Sequence, residues 1–291
     1  MTKLPVFATI GQAMAVFGLH IGKVFLWGLI VVLIGLLPVG MVFGLLEQNS
    51  GVAGGPEAGL WMMGFWAALL WLILVMTPFS IKINQLAVFG RVQPIGYAQL
   101  LFSRRGLSFF GYTLLVSLIF SVGFVMAFMP AGASLGLAMR QIPAEEMADF
   151  SRIGPAVVQA LEHSGGMVSF GIFVSAVLGV AFVVLALPLQ LVFPAASVEE
   201  SPSLGRSYNL ASGNKLRLFC CMFFVVLFFL LLNGALVLIG KVFGMDHSAG
   251  VKLILLPLNL IVMLFDLVTA KAVYAVAYRI LSGLPDPRLA R

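Results

Sequence analysis

Six runs of about 20 or more apolar residues constrain this chain more than any other feature. They cover 24–46, 60–81, 109–129, 167–193, 218–240 and 253–278, and only the last holds formal charges. A hydrocarbon core roughly 30 Å thick needs about 20 residues, each rising about 1.5 Å. A backbone in lipid has to satisfy its own hydrogen bonds, so each run predicts a helix. A transmembrane β-barrel would alternate apolar and polar residues, which these runs do not. Composition agrees. Of the 291 residues 61% are hydrophobic and 10% charged, against roughly 45–50% and 25% in soluble domains. A soluble enzyme, a disordered chain, a coiled coil and a disulfide-stapled module are all excluded. The predicted fold class is all-α: a polytopic membrane helical bundle, with 1–291 as one integral membrane domain.

The run at 24–46 is too long for a cleaved signal peptide and lacks a convincing small-residue cleavage site, so it is read as a retained span. Proline at 130, 188 and 194 is expected to kink or end the third and fourth spans. Orientation follows from Lys and Arg. With the N-terminus inside, inner segments hold Lys3, Lys23, Lys82, Arg91, Arg104, Arg105, Arg206, Lys215, Arg217, Arg279, Arg288 and Arg291. The outer loops hold only Arg140, Arg152, Lys241 and Lys252. Both termini are therefore expected in the cytoplasm. The net charge of +6 reads as this topogenic bias and not as a nucleic-acid signal. Cys220 and Cys221 are neighbours that point apart on a helix in a reducing compartment, and read as small apolar fillers.

A basic, amphipathic lead-in precedes the first, third and fifth spans. Ile10-Gly11, Ile95-Gly96 and Leu204-Gly205 open it, and Phe25, Phe110 and Phe219 each stand 14 positions after the glycine. In the first copy Val6, Ile10, Phe17 and Ile21 recur at helical spacing, with Thr9, Gln12 and Lys23 roughly opposite. In the third, Ser201 and Pro202 suit a helix start and Gly213 a stop. Such helices are expected in the headgroup plane of the cytoplasmic face. The sequence admits two explanations: three repeated hairpins, or the lead-in any such hairpin tends to have. Between spans, 47–59 reads as a glycine-rich outer loop and 143–163 as an external helix.

Asp266 is the most informative charge. A carboxylate deep in a span costs about 2.5–3.5 kcal/mol on translocon scales, so it should face protein or water. Asn259 lies on nearly the same helical face and Thr269 is close, which makes a polar stripe. That stripe is either an intramembrane proton, cation or substrate site or an interhelical clamp, with Ser175, Gln190 and Asn233 as candidate partners. Lys271 shares a face with Tyr274 and Tyr278 and reads as a snorkelling lysine. Elsewhere the signals for chemistry are weak. His20, His163 and His247 have no metal spacing, and no hydrolase elbow, phosphate loop or dinucleotide fingerprint occurs, so neither a metal nor a cofactor is expected. Gly40/Gly44 and Gly132/Gly136 match a close-packing spacing.

The stretch from Phe193-Pro-Ala-Ala-Ser-Val-Glu-Glu through Leu210-Ala-Ser-Gly-Asn-Lys-Leu-Arg217 to Phe219 resembles a loop of six-span bacterial inner-membrane proteins. So does the ending Ala272-Val-Tyr-Ala-Val-Ala-Tyr-Arg279. That group includes YciC-type proteins and the membrane domain attached to some glycerophosphodiester phosphodiesterases. The resemblance implies the architecture and location but no activity, and nothing here matches a phosphodiesterase catalytic domain. The expectation is a non-enzymatic bacterial inner-membrane protein with a structural, assembly or envelope-maintenance role. Its partners would be membrane lipids or other inner-membrane proteins. Ser201, Arg206, Asn214, Lys215 and Arg217 are the expected cytoplasmic interaction loop. The alternative is a carrier or channel using Asn259, Asp266 and Thr269.

Overall fold

The computed structural model describes residues 2–40, 57–140, 142, 164–198, 202–242 and 249–287. Among the described residues there is no strand, and six helices are long and apolar enough to cross a membrane. The protein is an all-α, polytopic membrane protein. The expected outer loop at 47–59 lies mostly outside the described residues, and the expected external helix at 143–163 wholly so.

The helices in chain order are α1 (Val6–Leu19), α2 (Ile21–Ile30), α3 (Glu57–Phe89), α4 (Tyr97–Leu101), α5 (Arg104–Met139), α6 (Gly165–Ala186), α7 (Val192–Val198), α8 (Leu204–Leu210), α9 (Lys215–Val242) and α10 (Ala249–Leu281). A π-helical turn at Val31–Leu36 extends α2, and a 3-10 turn at Leu187–Leu191 joins α6 to α7. One order therefore occurs three times: a short helix, a break, a span, a loop and a second span. Two compact units result, Met1–Leu114 with Pro188–Arg291, and Leu115–Leu187.

In the first unit the C-terminal parts of α3 and α10 pack on one another, and α7 packs on both. These are the ends of the second, sixth and fourth spans. Each short helix lies against the closing helix of the preceding hairpin: α4 on α3, α8 on α7, and α1 on α10. The first two contacts are local in sequence. The third joins the two ends of the chain and closes the series into a ring. The three short helices have unequal lengths of 14, 5 and 7 residues.

The hydropathy pattern and the observed burial part company at the ends of the spans. The apolar run ends at 81, yet α3 continues to Phe89, and every residue from 77 to 88 is buried. Protein replaces lipid around this segment, so its polar residues find partners where lipid would offer none. The first lead-in also departs from the expected faces. Thr9, Ala13 and Val16 form the buried side of α1, while Phe7 is 74% exposed. The buried side mixes Thr9 with Ala13 and Val16, and Phe17 of the expected apolar side packs inward on Phe265, so both expected faces contribute to the contact with the protein. Val24, Val31, Val75, Phe79, Ile83 and Val268 fill the core between α2, α3 and α10, and Phe265 joins Phe17 of α1 to Phe229 of α9.

The prolines behave differently from one another. Pro188 falls in the 3-10 turn and Pro194 in the first turn of α7, where a missing N–H is tolerated. α5 continues through Pro130. Beyond it the Ala131 N–H donates to the Ser175 hydroxyl at 2.9 Å. In the π-helical turn four residues before Pro38, the Ile34 carbonyl accepts the Trp71 indole N–H from α3 at 2.9 Å. In both places a side chain on a neighbouring span pairs with a backbone group near a proline.

The second unit is held by glycines that the sequence pattern did not single out. A Cβ at Gly171 would run into Ser134 and the Pro130 carbonyl, and one at Gly123 into the Phe182 ring. A Cβ at Gly132, Gly136 or Gly40 would meet nothing within 4 Å. The matches to a close-packing spacing at those three glycines thus mark no close approach among the described residues. A glycine spacing shows that approach is possible, and only the neighbouring helix decides where it happens.

Candidate functional site at the basic ends of the spans

The most connected polar groups lie where α3, α7 and α10 meet. Asn84 and Gln85 are each 2% exposed. The Asn84 amide donates to the Ser197 hydroxyl at 2.9 Å, and the Gln85 amide to the Ser197 carbonyl at 3.1 Å, tying α3 to α7. Lys82 Nζ donates to the Ile95 carbonyl at 3.0 Å and stands 5.3 Å from the Trp27 ring centroid. The Tyr97 hydroxyl donates to the Val75 carbonyl at 2.6 Å, and burial pushes its pKa well above the usual phenol value.

Arg279 is the corresponding hub of α10. It is 4% exposed, donates from Nη1 to the Ala87 carbonyl at 3.1 Å and from Nη2 to Gln12, and has Asp286 Oδ2 at 3.6 Å. One guanidinium thus joins α1, α3, α10 and the segment after α10. Gly283, at φ +73°, makes the turn that brings that segment back, and the Leu284 N–H closes on the Arg279 carbonyl. A cavity of 220 Å³ lies beside the hub, lined among others by Gln12, His20, Gly90 and Arg279.

The expected interaction loop divides. Asn214 is buried and holds the chain's own beginning: Oδ1 accepts the Leu4 N–H at 2.9 Å, and Nδ2 donates to the Thr2 carbonyl at 3.0 Å. Arg217 donates to the Leu4 carbonyl at 3.3 Å. Lys215 donates to the Tyr208 hydroxyl at 2.6 Å, its Nζ 4.1 Å from that ring's centroid. Arg206 is exposed on α8. Ser201 lies outside the described residues. Ser203 takes the N-cap position of α8, and Gly213, at φ +77°, stands in the turn after it as expected. Asn214 and Arg217 are thus used within the chain.

The polar stripe does not converge. Asn259 is exposed, Asp266 half-buried and Thr269 fully buried, its hydroxyl without a hydrogen-bond partner among the described residues. Burial rises along α10 toward its C-terminal end, so one helical face passes from the outer surface into the core. Ser175 is engaged with Ala131, and Asn233 donates to the Phe229 carbonyl of its own helix. Those two candidate partners of Asp266 are spent elsewhere. Lys271 is half-buried.

No family model matches this chain, and no curated protein or solved structure matches it either.

Several of the connected residues escape a reading of the sequence. Lys82 and Arg279 read there as topogenic charges, and Gln12 as the exposed side of a surface helix. Asn84, Gln85, Tyr97 and Ser197 carry no expectation. One signal was available: Lys82, Asn84 and Gln85 continue a helical pattern past the hydropathy boundary, where a terminating span would be expected to offer a cap. Cys221 is buried with its Sγ 3.8 Å from the Val6 carbonyl, which fits a small filler. Among the described residues no group of three His, Cys, Asp or Glu could hold a metal ion.

Proposed function

We propose that this chain is a non-catalytic inner-membrane protein of a bacterium, of the YciC kind, with both termini in the cytoplasm and a structural or assembly role. The ring closed by Gln12, Ala87 and Arg279 is the observation that carries this reading. Buried amides and guanidinium at the basic ends are committed to joining one hairpin to the next, as suits a fixed platform. Its exposed cytoplasmic elements, α8 with Arg206 foremost, are the surface on which a partner would rest. The test is photocrosslinking in native membranes from positions on α8. Recovery of one specific membrane partner is the expected result. Failure to enrich any protein over a probe at Arg140 would count against the role.

A carrier reading draws on one observation, the buried and unpartnered Thr269 hydroxyl one turn from Asp266. Proteoliposomes holding Asp266→Asn protein test it. Solute or proton flux equal to that of the unaltered protein would remove this alternative, and lost flux would displace the platform reading.

A further inference from the structure

Two adjoining grooves open where α3 ends and α5 begins, both within the first unit. One, of 430 Å³, is lined by Arg91 and Gln93 among others; the second, of 470 Å³, by Gln93, Ser103, Arg104, Arg105 and Ser108. Gln93 is common to both. Among the described residues no acidic side chain lines either. Arg105 Nη1 donates to Gln93 Oε1 at 2.7 Å, which holds one guanidinium in place across the shared wall. Arg91 and Arg104 are exposed and make no hydrogen bond or ion pair among the described residues. Large apolar side chains are exposed beside it: Phe89, which lines the first groove, is 44% exposed, and Phe102 and Leu107, next in sequence to the lining residues Ser103 and Ser108, are 74% and 55% exposed.

We propose that this double groove binds the phosphate headgroup of an anionic phospholipid, with the acyl chains lying against Phe102 and Leu107. The inference rests on the membrane reading above but not on the platform role. Three considerations support it. Guanidinium planes match phosphate oxygens bidentately, and Arg91 lines one groove while Arg104 and Arg105 line the other, with Gln93 common to both. Most buried basic groups nearby are already matched to carbonyls, whereas Arg91 and Arg104 are left with charge and no partner among the described residues. A basic site at the end of two spans is also where an anionic leaflet presents phosphates, and the apolar side chains beside it suit a lipid better than a soluble anion.

The experiment uses the full chain in a zwitterionic detergent. Binding of short-chain phosphatidylglycerol, cardiolipin and phosphatidylcholine is titrated and checked by native mass spectrometry. The expected result is retention of the two anionic lipids and not of phosphatidylcholine. Each arginine is expected to contribute about fivefold, so R91Q/R104Q/R105Q should weaken binding on the order of a hundredfold. Arg104→Gln alone, at an exposed position, should lose about fivefold and keeps the test open if the triple variant does not fold. Arg140→Gln, on the far end of α5, should change nothing. Equal binding of phosphatidylcholine, or unchanged affinity in the folded variants, would overturn the proposal. Arginine-dependent binding of inorganic phosphate with no lipid preference would overturn it too, by assigning the site to a soluble anion. Because partner capture by α8 is read separately, a negative result here leaves the platform reading standing.

Discussion

Replacing Trp71 with Phe removes one hydrogen-bond donor and little else. The ring is 41% exposed, so the packing lost with the indole is modest. What changes is the Ile34 carbonyl, bonded at 2.9 Å by the indole N–H in a π-helical turn just before Pro38. The bond is not buried in protein, and interhelical bonds measured within membranes average about 0.6 and reach about 1.7 kcal/mol. The environment here is apolar but not sealed by protein, so a loss near 1 kcal/mol is expected for Trp71→Phe. The decisive measurement is a double-mutant cycle with Pro38→Ala, which supplies an N–H that can close onto Ile34. Unfolding is followed by denaturing-detergent titration in mixed micelles. In the Pro38→Ala background Trp71→Phe should cost clearly less than in the unaltered protein, because the packing loss is common to both and cancels. If the two costs agree within about 0.3 kcal/mol, the indole does not serve the carbonyl and the reasoning fails.

Other outcomes are expected from single sites. Gly171→Ala should destabilise by about 1–3 kcal/mol in the same titration, since its Cβ meets Ser134 and the Pro130 carbonyl, whereas Gly132→Ala and Gly136→Ala should be close to neutral. Asn214→Ala should release the first residues, and trypsin cleavage after Lys3 should quicken by about fivefold or more, following loss of about 1 kcal/mol or more of buried hydrogen bonding. The Tyr97 phenol is raised by burial, so its contribution to stability is complete below the unfolded value near pH 10 and falls as pH rises through the higher folded value. Tyr97→Phe should therefore flatten the loss of stability measured above about pH 10.

The sequence by itself determined what lipid demands. Long uncharged runs must be helices because no other segment satisfies its backbone alone in hydrocarbon, and all six expected spans are present as helices. Turn chemistry was legible on the same local basis, as at Gly213. Partnership was not legible. Whether Thr9 and Gln12 face water or protein depends on what surrounds α1, and periodicity defines a face without saying what it meets. The arginine that closes the ring looks, in one dimension, like any charge at the end of a span. Gly171 and Gly132 are likewise alike until a neighbouring helix comes near one of them. Only the tertiary structure, by bringing residue 12 beside residue 279 and residue 34 beside residue 71, decided which polar groups are structural bonds. Arg91 and Arg104 remain as charges left over.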